Sequence, residues 1–373
     1  MPANDLDVDM SELEKRRFTC DEKCGLCCLC QAELLPHEVD LFKRSYPNRI
    51  VMKDRPHRHV ALALKKGEGP CDFLLQNRRC SIYKDRPHYC RQFPFHMYLG
   101  TRVQVELDLS CRGVWTDQGE DALVAGGQLV AENAEALRRT LQESRAVYRE
   151  FEANCKEAGI YRPAEALRRD LAPQIPRFAD VQYLARVLDL SAEEEEMEIP
   201  GDVGPEYPRR ELEGSAMETG LESLSAEDVY SAPVYCDPVG RWNIFLAQDG
   251  GVEWSVMNDD GGLTPVRTID PAQVKLLAPE GQGLDVFTSY MRTLNARDSA
   301  LGYAYYLVDD YGYEDFVANT YNGTMATAAL DLLWRASLIA HVRGGKLDRQ
   351  GMIEGIIAYD MDRLDAPTIG AFL

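Results

Sequence analysis

The hydrophobic pattern changes period along the chain. Over residues 121–158, Leu137, Leu141, Tyr148, Phe151 and Cys155 recur at helical spacing with Glu and Arg between them, which predicts amphipathic helix. Pro163 opens a further short helix carrying Leu167 and Leu171, and 181–190 reads as another. After residue 231 the pattern breaks into four short apolar runs, 233–236, 242–247, 252–257 and 263–269. Pro238-Val239-Gly240, Asp249-Gly250-Gly251 and Asp259-Asp260-Gly261-Gly262 separate them. Gly and Asp accept the positive φ of tight hairpins, so these runs predict an antiparallel meander. Asp270 before Pro271 then signals a helix start, a capping side chain ahead of a first-turn proline. Later helices are expected around 285–297, 299–309, 323–343 and 348–361.

The remaining segments lack such periods. Residues 1–17 read as a polar lead-in, and 18–115 carry short-loop signals and most of the cysteines. Residues 191–230 are rich in Glu, Gly, Pro and Ser and read as an acidic linker or loop, with 193–196 a solvated helix end. The fold class expected is α+β, in four parts. These are an irregular cysteine-rich metal module (1–118), a helical region (119–190), the acidic linker or loop (191–230) and a mixed domain with a small antiparallel meander and helices (231–373).

Charge sharpens this division. The net charge is −20, yet residues 1–118 carry 19 Lys+Arg and 17 Asp+Glu, whereas 191–230 carry 13 Asp+Glu and 2 Lys+Arg. So acidic a chain repels nucleic acid and anionic membranes, and neither is expected as a partner. The cations of the first part stand where thiolates would gather. The start MPANDLDVDM is unlike a secretory signal. The most apolar later stretch, 325–340, is interrupted by Asp331 and Arg335 and is too short to span a bilayer. A cytoplasmic protein is expected. In that compartment structural disulfides are rare, and dense cysteine points to metal or redox chemistry.

There are 11 cysteines, nine of them between Cys20 and Cys111. The first run holds Cys20, Cys24, Cys27, Cys28 and Cys30 within eleven residues. Gly25 frees the backbone to curl around a shared centre. Cys71, Cys80, Cys90 and Cys111 follow at wider intervals. Zinc sites usually pair their ligands in two close units. Here one run already offers four thiols and the later ones are unpaired. Adjacent Cys27 and Cys28 point in different directions from an extended backbone, which suits a polynuclear centre or two neighbouring centres. Eight thiols satisfy two four-cysteine clusters, so iron–sulfur is favoured over zinc. Cys30 lies outside the tightest spacing, and Cys155 and Cys236 read as ordinary buried thiols.

The elements Cys24-Gly25-Leu26-Cys27-Cys28, Cys80-Ser81-Ile82-Tyr83 and Arg86-Pro87-His88-Tyr89-Cys90-Arg91-Gln92-Phe93-Pro94 together resemble the CxxCxxCC family of zinc- or iron-chelating proteins. The resemblance covers roughly residues 18–115. It implies a metal centre held by Cys20, Cys24, Cys27, Cys28, Cys71, Cys80 and Cys90, with Cys111 an eighth ligand by position. A relative by motif is flagellin lysine N-methylase, a protein-modifying enzyme. One departure is the three-residue gap between Cys20 and Cys24, where the family commonly has two. The spacing Cys20-x3-Cys24-x2-Cys27 also equals that of radical S-adenosylmethionine enzymes, but no series of strand–helix units follows it.

Around the cysteines, Arg86 and Arg91 flank Cys90 and are read as cofactor-binding, neutralising cluster charge or meeting an anionic substrate. Tyr83 and Tyr89 pack nearby. Histidine can replace cysteine at a metal, but a lone histidine is more often a satisfied polar residue; of His37, His57, His59, His88 and His96, His88, two residues before Cys90, is the one to test. No catalytic residue is identified. The expectation is an iron–sulfur protein with one or two clusters, [4Fe-4S] favoured. It would be an oxidoreductase or a protein-modifying enzyme with a protein client or electron-transfer partner. The alternatives are a metal or cluster carrier and a structural zinc module that mediates protein interaction.

Overall fold

Helices and small, mainly antiparallel sheets share the chain, the α+β class that the pattern predicts. The computed structural model describes residues 6–55, 57–201, 204, 206–226, 232–248, 250–364 and 366–373, the side chains of 362 and 364 excepted. Its first part contains β1 (Val8–Asp9), β2 (Arg17–Phe18), α1 (Pro36–Ser45), β3 (Ile50–Lys53), β4 (His59–Leu62), α2 (His88–Gln92), β5 (Phe95–Leu99), β6 (Val103–Leu107) and β7 (Glu120–Asp121). Helices α3 (Ala122–Glu132), α4 (Ala134–Ala158), α5 (Ala164–Leu171), α6 (Val181–Ser191) and α7 (Arg209–Ser223) follow. The meander is β8 (Val234–Cys236), β9 (Trp242–Gln248), β10 (Gly251–Met257) and β11 (Leu263–Ile269). The chain ends with α8 (Gln282–Ala296), α9 (Asp298–Asp310), α10 (Val317–Arg343), α11 (Arg349–Asp360) and β12 (Ala371–Phe372).

The four apolar runs form one sheet in the order β11-β10-β9-β8, each neighbour antiparallel. Gly240 and Gly261 make the turns at φ +85, where a side chain would be strained. A second sheet has the order β1-β6-β5-β12. Its centre is the β5–β6 hairpin, with β1 parallel to β6 and β12 antiparallel to β5. Residues 8–9 and 371–372 therefore flank the hairpin that follows the Cys90 motif.

Helix α10 sits in the middle of the helical layer, and twenty-one of its residues are buried against α6, α7, α9 and α11. A helix apolar on all sides belongs inside. Asp331 and Arg335, which interrupt its apolar run, pair with each other at 2.9 Å, and the Ser223 hydroxyl donates to Asp331 at 2.8 Å. No helix among the described residues is long and apolar enough to cross a membrane.

Three local expectations change. The acidic stretch 191–230, expected as a linker or loop, contains α7, because Leu212, Ala216 and Gly220 share its buried face. Gly220 lies flat on the Trp334 indole, where a Cβ would stand 2.1 Å from the ring. The helix start at Asp270-Pro271 is one 3-10 turn, Pro271–Gln273, capped by the Asp270 carboxylate. The polar lead-in holds Leu13, which has no exposed surface, and Glu12, which pairs with buried Arg297 at 2.8 Å. Residues 1–5 of that lead-in lie outside the described residues.

Candidate metal centre

Local geometry brings the cysteines together in stages. Gly25 turns left-handed at φ +61 into a 3-10 turn, Leu26–Cys28, closed by the Cys28 N–H on the Gly25 carbonyl at 3.0 Å. The Cys28 carbonyl then accepts from the Cys71 N–H at 2.7 Å, which docks the second cysteine segment on the first. Bridges pair Leu64 with Cys71 and Leu74 with Cys80. Pro87 caps α2, which carries Cys90 and Arg91. Cys111 precedes the 3-10 turn Arg112–Trp115. Gly113 in that turn lies so close to the strand before Cys20 that a Cβ would stand 1.7 Å from the Thr19 carbonyl oxygen. The glycine is what lets Cys111 approach Cys20 and Cys24.

The eight predicted ligands line two adjoining cavities. Cys20, Cys24, Cys27 and Cys111 wall one of about 210 Å³, with Arg86, Arg91, Phe93 and Phe95. Cys28, Cys71, Cys80 and Cys90 wall another of about 270 Å³, with Cys30, Tyr89 and His96. Cys20, Cys27, Tyr83 and Arg86 belong to both walls. Arg91 lines only the first cavity. His88 lines neither: it is buried in α2, and its backbone N–H donates to Glu38 at 2.8 Å. His96, two residues beyond Pro94 on β5, does line the second cavity. It faces Asp108 at 3.5 Å.

The electrostatics follow the same grouping. Burial pushes the Cys71 thiol up to about 11 and Cys90 to about 12. Burial, then repulsion from Cys27 and Cys24, also raises Cys20. Cys111 stands well above its ordinary value through burial and the neighbouring Asp108. Two thiols move the other way. A hydrogen bond from Cys28 holds Cys27 down, and Arg86 adds to the effect. A hydrogen bond from Cys236 lowers Cys24. Arg86 acts on Cys20, Cys27, Cys80 and Cys90, so one guanidinium serves both cavities. Its planar group lies 3.9 Å over the Tyr83 ring and donates Nε–H to the Tyr83 carbonyl at 3.0 Å.

The meander closes the far side of the first cysteine run, a feature that local spacing could not reveal. Cys236, at the end of β8, lies with its Sγ 3.7 Å from the Cys24 carbonyl. Trp242 at the start of β9 donates its indole N–H to the same carbonyl at 2.7 Å. Arg78 covers Trp242 at 3.9 Å and pairs with Asp259 at 2.8 Å. Arg112 is buried beside β8, donating Nε–H to the Cys236 carbonyl at 2.6 Å and meeting the Glu354 carboxylate with both ends of its fork. Cys236 is buried, as the sequence pattern implies, and lines neither cavity. What the pattern does not show is its packing against the Cys24 carbonyl, from β8, the strand antiparallel to β9 through the Cys236–Trp242 pair. Cys155 is buried in α4, away from the other cysteines.

An all-thiol donor set suits zinc or iron. Four thiolates on one tetrahedral zinc ion stand roughly 3.8 Å apart, given a Zn–S bond of about 2.3 Å. Among the described residues, the one trio of His, Cys, Asp or Glu ligand atoms within 4.8 Å of one another contains no cysteine. The sulfurs are spread around the cavities. Residues 19–112 match the CxxCxxCC family, described as a "Putative zinc- or iron-chelating domain". The match covers about a quarter of the chain and contains all eight predicted ligands, both arginines and every cysteine of the two cavity walls. The CxxCxxCC segment is therefore a cysteine-ligated metal-binding domain of zinc or iron type. No curated protein and no solved structure matches the chain.

Proposed function

We propose that the CxxCxxCC segment holds two iron–sulfur clusters, one in each cavity, and that the protein works as a redox enzyme or electron-transfer protein. One observation carries this reading: the eight thiols surround two cavities that share a wall, with Cys24 and Cys111 on the first alone, Cys28, Cys71, Cys80 and Cys90 on the second alone, and Cys20 and Cys27 between them. Four cysteines are the usual complement of one cluster. Thiols spread around a cavity suit a polynuclear centre better than one tetrahedral ion. Bound clusters of this kind supply one-electron transfer.

The residues of the chain then have definite tasks. Cys27 and Arg86 stand in the shared wall, where the guanidinium offsets the negative charge that gathers on thiolates. Leu26, Phe93, Pro94 and Phe95 line the first cavity with apolar surface, which limits water access and strengthens each electrostatic contact. Trp242 and Cys236 lock the Cys24 carbonyl and so fix the turn that aims the first run. The exposed edges at Cys20 and Cys30 leave room for an electron-transfer partner or a protein client.

The double variants Cys24→Ser/Cys111→Ser and Cys71→Ser/Cys90→Ser test the division. Each is expected to lose about half of the bound iron and sulfide while keeping the other half. If either pair abolishes all bound metal, with helical circular dichroism retained, the cavities form one centre and the two-cluster reading fails.

A further inference from the structure

We propose that Glu33, His57 and His59 form a separate metal site, a solvent-facing position for one divalent transition-metal ion such as Zn²⁺. Their ligand atoms lie within 4.8 Å of one another. His57 Nε2 stands 3.4 Å from Glu33 Oε1, and the two imidazole rings are 5.0 Å apart between centroids.

The backbone explains why these three meet. Residues 31–34 lie along β4 as a short third strand: the Leu62 N–H donates to the Ala32 carbonyl at 2.9 Å, and the Leu34 N–H donates to the Val60 carbonyl at 2.8 Å. Glu33 therefore pairs with Ala61. Side chains alternate along a strand, so His59 shares the face of Ala61 and Glu33 and is Glu33's diagonal neighbour. Ala32 and Leu62, on the opposite parity, line the cavity of Cys28, Cys71, Cys80 and Cys90. The strand thus presents a thiol-lined wall on one side and an imidazole–carboxylate set on the other.

A second observation points to a ligand. His59 Nδ1 is 2.7 Å from the His57 carbonyl. When it donates there, the tautomer leaves the Nε2 lone pair free, the outer-shell bond that metal-bound histidines commonly make. As an ion pair alone, His57 with Glu33 contributes little, because His57 is largely exposed (65% of its side chain). Two imidazoles and a carboxylate form a three-ligand set of borderline character, and such sets leave coordination positions open to water. Soft thiolates next door favour different ions or clusters, so the two sites would differ in content and in lability.

The test uses the full chain with its thiol-bound metal in place, its iron, zinc and sulfide measured first. Zn²⁺ is then titrated calorimetrically and Co²⁺ by absorption. The expected result is one further equivalent of Zn²⁺, and of Co²⁺ without thiolate-to-cobalt charge-transfer absorption. His57→Ala/His59→Ala should weaken that binding by more than about tenfold, as should Glu33→Gln, with thermal stability and thiol-bound metal unchanged. Equal stoichiometry and affinity in these variants, or Co²⁺ bound only with thiolate absorption, overturns the proposal. Because thiol-bound content is measured beforehand, failure of the two-cluster reading is seen separately.

Discussion

Arg112 joins the metal-binding segment to the rest of the molecule, and its removal has a calculable cost. In Arg112→Met the long side chain keeps its volume but Glu354 loses its main counter-charge. Glu354 is 1% exposed. It keeps Gln350, whose amide donates at 2.5 Å, the Tyr235 hydroxyl, and Arg343 at 3.5 Å. Breaking one side of a buried ion pair costs about 3–5 kcal/mol. Arg343 is only partly buried and more distant, so it offsets a fraction of that charge, and about 3 kcal/mol is expected. Against a typical total of about 5–15 kcal/mol this is a large loss. Urea unfolding of the metal-loaded protein measures it as a lower midpoint at unchanged slope. Arg112→Met/Glu354→Gln should recover at least half of the loss, since no unpaired charge remains. Freed from the Cys236 carbonyl, the Cys111 turn should also hold metal in the first cavity less tightly. A loss below about 1 kcal/mol, or a double variant no more stable than the single one, refutes the reasoning.

Two further predictions rest on other features. Gly113→Ala places a Cβ 1.7 Å from the Thr19 carbonyl oxygen, so metal content of the Cys20–Cys111 cavity should fall with a cost of about 1–3 kcal/mol. Gly127→Ala, inside α3 with nothing within 4 Å of its Cβ, is the control: metal content should stay unchanged and stability should rise by about 0.5–1 kcal/mol. Burial, opposed by Arg297, holds Glu106 up to about 7 from an ordinary 4.5. Its stabilising contribution is therefore full below pH 4.5 and is lost as pH rises through 7, a decline of up to about 3 kcal/mol. Glu106→Gln should flatten the stability profile across that window in urea titrations at several pH values.

Much of the secondary structure was legible because its signals are local. The hairpin glycines marked the meander, and Leu137, Leu141, Tyr148 and Phe151 marked the face of α4. Helix α7 was hidden because its buried face uses Ala216 and Gly220, small residues whose value depends on the Trp334 ring more than 100 positions away. Strands β1 and β12 are two residues each, too short for any period to register. The metal-binding thiols announced themselves by spacing and by three ordered motifs. How they divide between cavities, and the approach of Cys236, Trp242 and Arg112 to the first run, depend on contacts across some 120–240 residues that no local pattern encodes. The Glu33–His57–His59 set was equally out of reach: single histidines carry no signal until strand pairing sets His59 diagonal to Glu33 and the bend before β4 brings His57 to the same carboxylate.

The central claim, two four-cysteine clusters in one segment, is tested most directly by anaerobic purification followed by iron, zinc and acid-labile sulfide quantitation with an absorption spectrum. The account predicts a brown protein with about eight iron and eight sulfide per chain, as two [4Fe-4S] clusters require. A colourless protein with stoichiometric zinc and no sulfide would contradict it, and the thiols would then be a structural scaffold.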